Sequence, residues 1–193
     1  MKAVARRAGT ALWSIGTAVP AYRISQEQAC CFMAACFPDD EALARRLRYL
    51  YRRSQIQFRH SCGAEFTEMP GDLAGETGTA QRMEIYEKQA VPLAEAAARQ
   101  ALKDLFQLEE ITHLIAVTCT GFFAPGPELA LVERLGLRRQ VRRLQIGFMG
   151  CQAALQGLQV ADAICRSDAE AVVLLVCVEL CTLHFCCTPT QEN

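Results

Sequence analysis

The 193-residue chain sets 20 Lys and Arg against 21 Asp and Glu for a formal net charge of −1, and 51% of its residues are hydrophobic. That balance excludes a disordered chain and predicts one folded globular domain over 1–193 with a substantial core. It also argues against a nucleic-acid partner, which needs a basic excess to displace counterions.

No integral membrane segment is expected, because the longest apolar run, Ala171–Val178, is far too short to span a bilayer. Lys2, Arg6 and Arg7 precede Ala11-Leu12-Trp13 as in a signal peptide, but Gly9, Gly16 and Pro20 interrupt the apolar stretch. The 11 cysteines are odd in number, irregularly spaced and never arranged as C-x-x-C. Neither a disulfide framework nor a metal site is therefore expected. Most read as buried thiols that behave as small hydrophobes in a reducing, cytoplasmic setting.

In chain order, Thr10–Thr17 has strand character, and Gln26–Phe37 and Asp39–Arg53 read as helices, the second capped by Asp39 or Asp40. Ser61–Gly78, with Gly63, Pro70, Gly71 and Gly75, reads as a surface loop. Thr79–Leu108 is a long helical pattern in which Pro92 marks a kink or a join between two helices. His113–Cys119 and Val141–Ile146 are strands. Gln152–Arg166 is a helix expected to turn Leu155, Leu158, Ala161 and Ile164 or Cys165 inward. Ala171–Glu179 is a Val- and Leu-rich strand expected to be buried on both faces. Strands alternating with helices predict a layered α/β fold with a largely parallel sheet, and no domain boundary is visible. Basic residues cluster at Arg45, Arg46, Arg48, Arg52, Arg53 and Arg59, and at Arg138, Arg139, Arg142 and Arg143. These read either as solvated faces or as a site for a phosphorylated small molecule.

The chemistry concentrates in Val141–Leu158. A strand ends near Gly147, Gly150 precedes Cys151, and a small-residue helix starts at once. A thiol at the first turn of a helix faces backbone N–H groups and the positive end of the dipole, which favours thiolate. Cys151 is thus the candidate nucleophile. A base is normally needed beside it. Of the three histidines, His113 reads as a strand-edge residue and His60 lies in a basic loop. His184 is the best candidate, although nothing in the sequence ties it to Cys151, so the base is expected outside this chain.

Five segments, in order, carry a family resemblance: Ser14-Ile-Gly-Thr-Ala-Val-Pro20, Arg82-Met-x-x-Tyr-Glu87, Thr112–Gly126, Gly150-Cys151 and Cys177-Val-Glu-Leu-Cys-Thr-Leu-His-Phe185. Together they resemble the N-terminal half of chalcone and stilbene synthases, the type III polyketide synthases, and are most similar to bacterial alkylpyrone and alkylresorcinol members. The resemblance implies a thiolase-like layered α/β/α fold, with only the first half of the duplicated fold in this chain. It also implies a homodimer and acyl-CoA chemistry with no cofactor. An acyl group from acyl-CoA would be loaded on Cys151 and extended by decarboxylative condensation with malonyl-CoA. Cys119, Thr120, Cys181 and His184 would line the substrate cavity, and Arg53 and Arg59 would lie near the CoA phosphates. Ala124 stands where a bulkier residue often plugs the partner's cavity.

The family's catalytic histidine and asparagine fall in the C-terminal half, and the chain stops just past a strand with no helix to cover it. It is expected to be part of a longer enzyme or a truncated product, inactive alone. Two alternatives stay open: a non-catalytic relic that pairs with full-length subunits, and a ketoacyl synthase of fatty-acid synthesis, which would take a carrier protein rather than CoA esters alone.

Overall fold

The computed structural model describes residues 9–63, 78–103 and 105–185. Its contacts divide the chain into two compact units, each made of two separate segments: Met1–Ala18 with Met83–Glu179, and Val19–Arg82 with Leu180–Asn193. Discontinuous units leave no single change in composition along the chain, which is why the sequence shows no boundary.

The first unit is built on a three-stranded parallel sheet of β3 (His113–Thr118), β4 (Arg142–Gly147) and β5 (Val173–Cys177), in the spatial order β4-β3-β5. Helix α4 (Pro127–Leu135) carries the chain from β3 to β4, and α5 (Ala153–Ser167) returns it across β3 to β5. Because such crossovers are right-handed, reversing direction along the sheet puts the two helices on opposite faces. On one face, Ile115 and Val117 of β3 pack with Ala153, Val160, Ala161 and Ile164 of α5. On the other, Leu114, Ala116 and Thr118 are buried beside α3 (Thr79–Leu102), whose Tyr86 bonds Thr118.

Several expectations are corrected here. Central β3 is the strand buried along its whole length, whereas β5 lies at an edge and buries only Leu174 and Val176 fully. An apolar run reports a hydrophobic environment, not which strand takes the centre. On α5 the buried positions are Ala153 and Gly157, while Leu155 and Leu158 are 61% and 48% exposed. A side chain at Gly157 would press on Leu175 and Val117, so the glycine sets the close approach and rotates the leucines outward. Helix α3 ends at Leu102 rather than Leu108 and runs unbroken past Pro92. Residues 10–17 form no strand. They lie against α3, with Gly16 closely apposed to Ala97 and Ala101, and leave Leu12, Trp13 and Ile15 largely exposed.

The second unit holds α1 (Gln26–Ala35), α2 (Glu41–Arg53) and an antiparallel pair, β1 (Tyr22–Ser25) with β2 (Phe58–Ser61). Ser25 and Gln28 form a reciprocal capping box on α1, and Asp40 caps α2 through the Leu43 amide. The predicted loop Ser61–Gly78 lies mostly outside the described residues. No described helix is long and apolar enough to cross a membrane, and no described cluster of His, Cys, Asp or Glu could hold a metal ion.

Candidate functional site

In open parallel sheets, ligands collect beyond the carboxyl ends of the strands, where the chain reverses its direction along the sheet. In the first unit that edge receives Cys119 and Thr120 from β3, Phe148–Cys151 from β4 and Val178–Glu179 from β5. Three of the expected site residues, Cys119, Thr120 and Cys151, therefore converge.

Cys151 is exposed and sits two residues ahead of α5, in a turn closed by the Ala153 amide donating to the Gly150 carbonyl at 3.0 Å. Gly150 has φ of +73°, a conformation glycine adopts without a Cβ clash. The Gly150 amide donates to Sγ of Cys119 at 3.2 Å, and the Cys119 thiol lies 3.7 Å from the Gly150 carbonyl oxygen. The axis of α5 directs its N-terminal end toward the turn, a favourable place for negative charge.

Glu179 is the organising residue that sequence reasoning missed. Its Oε1 accepts the Cys119 amide at 2.8 Å, while Oε2 accepts the Thr120 amide at 3.0 Å and the Thr120 hydroxyl at 2.6 Å. A signal was present: Glu179 is the one carboxylate in the apolar stretch Ala171–Phe185.

His113 stands at the opposite, amino-terminal end of β3. The Thr112 hydroxyl donates to the Val172 carbonyl at 3.0 Å and contacts His113 Nδ1 at 2.8 Å, so Nδ1 carries the proton. Arg142 then donates to Nε2 at 3.5 Å. Burial, helped by the Arg142 charge, holds the imidazole pKa below its ordinary value. This is a neutral structural histidine.

The remaining expected residues belong to the second unit. Cys181 and His184 lie on a short 3₁₀ turn and, with Arg59, His60, Ser61 and Thr182, line a cavity of about 290 Å³. Ser61 and Thr182 hold the two sides together through a 3.1 Å hydroxyl contact. Arg59 donates to Gln26 Oε1 at 2.8 Å and lies 5.2 Å from the Tyr51 ring centroid. Arg53 does not line this cavity. It projects from α2 beside Tyr49, with its Nε 3.3 Å from the phenol oxygen. His60 donates from Nδ1 to the Pro20 carbonyl at 3.0 Å.

Residues 1–193 match the family model for the N-terminal domain of chalcone and stilbene synthases. An alpha-pyrone synthesis polyketide synthase-like protein of Mycobacterium tuberculosis is 32% identical over 172 residues, covering 88% of this chain and 44% of that protein. A type III polyketide synthase of Arabidopsis thaliana is 30% identical over 189 residues, 95% of this chain and 49% of the relative. Among solved structures, the C-terminal type III polyketide synthase domain of a type I/III hybrid from Dictyostelium superposes with a TM-score of 0.87 at 28% identity, covering 96% of this chain and 52% of that one. The chain thus has the thiolase-like fold and spans about half the length of these relatives.

Proposed function

The chain belongs to the chalcone and stilbene synthase family as its N-terminal domain, and on that premise we propose that Cys151 is the acyl-carrying nucleophile of a type III polyketide synthase. The observation that carries this reading is the exposed Cys151 turn at the carboxyl edge of the sheet, directly ahead of α5. The Cys151 thiolate attacks the carbonyl of an acyl-CoA, forming a new thioester and releasing the CoA thiolate. Malonyl-CoA then loses carbon dioxide. The resulting carbanion attacks the Cys151 thioester, frees the thiolate and leaves a β-ketoacyl-CoA for the next round.

Cys119 and Thr120 border the thioester, Cys181 and His184 line the substrate cavity, and Arg53 and Arg59 face the CoA phosphates. The working enzyme is a homodimer completed by the C-terminal half of the family fold. The starter is a long fatty acyl group and the product an alkylpyrone or alkylresorcinol. The mycobacterial relative is named for alpha-pyrone synthesis, which supports a pyrone product, and the small Cys119 and Ala124 leave space for an aliphatic starter.

The test is to assemble the chain with a C-terminal half of the fold and offer starter esters with malonyl-CoA. A fatty acyl-CoA of about twelve carbons or more, within the size range of ordinary ligand pockets, is expected to outcompete a cinnamoyl ester. Preference for the aromatic starter would overturn the product assignment. Absence of any acyl transfer from CoA would favour the non-catalytic relic.

A further inference from the structure

Two residues outside the thiol chemistry itself form a strut beneath the turn that carries Cys151. The Glu179 carboxylate takes three donors from the two residues after β3, the amides of Cys119 and Thr120 and the Thr120 hydroxyl. A carboxylate with three short charge-assisted bonds is a firm anchor. It fixes the backbone of Cys119 and hence the place of its sulfur. That sulfur accepts the Gly150 amide at 3.2 Å. Gly150 needs the hold: its φ is +73°, no atom lies within 4 Å of where a Cβ would be, and a glycine loses more conformational freedom on folding than any other residue. Cys151 and Gln152 are both exposed, and Gln152 caps α5 with no side-chain bond.

We infer that Cys119 is a positioning residue for Cys151: its sulfur, anchored through Glu179, holds Gly150 in the left-handed turn that places Cys151 just ahead of the N-terminal end of α5. The inference rests on the nucleophilic role proposed for Cys151. It gives Cys119 a function distinct from lining a cavity and from carrying the acyl group. Without the sulfur, the Gly150 amide loses its acceptor and the turn loosens. Cys151 then spends less time in its place ahead of the helix end, where the dipole favours an anion.

The test follows alkylation of Cys151 by iodoacetamide across pH 6–10 in the intact 1–193 chain, which requires no acyl-CoA. Fragment-ion mass spectrometry separates Cys151 from Cys165 on the same tryptic peptide. Cys119→Ala is expected to slow alkylation at neutral pH about fivefold, the scale of one hydrogen bond, and to move the rate profile to higher pH. Cys119→Ser keeps an acceptor and is expected to restore most of the rate. Glu179→Gln, which turns one acceptor into a donor facing an amide or hydroxyl donor, should behave like Cys119→Ala. Unchanged profiles in Cys119→Ala and Glu179→Gln, with Cys151 still more reactive than exposed Cys31, would overturn the strut alone. A wild-type Cys151 no more reactive than Cys31 would overturn the nucleophile assignment and the strut with it. The same loss in Cys119→Ser as in Cys119→Ala would remove the sulfur-to-amide bond as the cause.

Discussion

The Tyr86 hydroxyl donates to Oγ1 of Thr118 at 2.6 Å inside the first unit, tying α3 to the last residue of the central strand. Tyr86 is fully buried. Burial, opposed by the Thr118 bond, pushes its phenol pKa up to about 12. An unfolded tyrosine ionises near pH 10, so this contribution to stability is complete below about pH 10 and is lost as pH rises through about 12. Thermal unfolding of wild type is expected to fall steeply over that window. Tyr86→Phe should start about 1–3 kcal/mol less stable, because Thr118 loses its buried partner, and should show a shallower alkaline decline. Parallel declines in the two proteins would contradict the assignment.

The Tyr86 ring also explains a glycine. A Cβ on Gly121 would overlap Cγ and both Cδ atoms of Tyr86. Gly121→Ala must displace a buried ring, and overpacking of this kind typically costs about 1–3 kcal/mol. Chemical denaturation of Gly121→Ala, with Gly78→Ala as a comparison where an added Cβ meets nothing and the backbone is not left-handed, measures it. Equal losses would mean that the Tyr86 ring gives way to the added methyl without cost.

His113 makes stability fall on the acid side. Its folded pKa is lowered first by burial and then by Arg142. The stability is therefore fully present above the unfolded value of about 6.5 and declines as pH drops below it. Denaturant midpoints between pH 7.5 and 5 should fall in wild type and flatten in His113→Gln. A flat wild-type curve would place a charged imidazole in the fold.

Acylation should fall on Cys151 and not on Cys119 or Cys181. After incubation of the completed enzyme with an acyl-CoA, the adduct is expected on the tryptic peptide that begins after Arg143, and Cys151→Ala should abolish condensation. An adduct on Cys119 or Cys181, or condensation by Cys151→Ala, would remove the central assignment.

The 1–193 chain by itself is expected to neither decarboxylate malonyl-CoA nor remain monomeric. Loss of even one preorganised donor to a developing negative charge costs about 10²–10³ in rate. Within the first unit, the sole histidine is engaged at the far end of the sheet. Phe148 is 77% exposed, and Leu144, Met149 and Leu155 are also exposed, an apolar surface that promotes association. Decarboxylation assays and sedimentation of the chain, with and without a C-terminal half, check both statements. Turnover by a clean monomer would require the chemistry to be rebuilt around His184.

The amino-acid sequence alone determined the α/β class, the three parallel strands, the placement of Cys151 after Gly150 and the family, because each depends on local pattern or on motifs in fixed order. It also carried unused signals for α4, with Pro127 at its first position and Gly136 at φ of +73° just past its end. Tertiary structure decided the rest. Thr10–Thr17 has strand character, but a strand exists only where a neighbour offers a ladder, and here Gly16 packs on Ala97 and Ala101 of α3 instead. The short β1 and β2 depend on pairing Tyr22–Ser25 with Phe58–Ser61, more than thirty residues away in sequence. Which face of α5 turns inward was decided by the fit of Gly157 against Leu175, not by the number of leucines. Glu179 became the anchor of the Cys151 turn only when the ends of β3, β4 and β5 met at one edge, since a carboxylate's role is set by the donors that reach it through space.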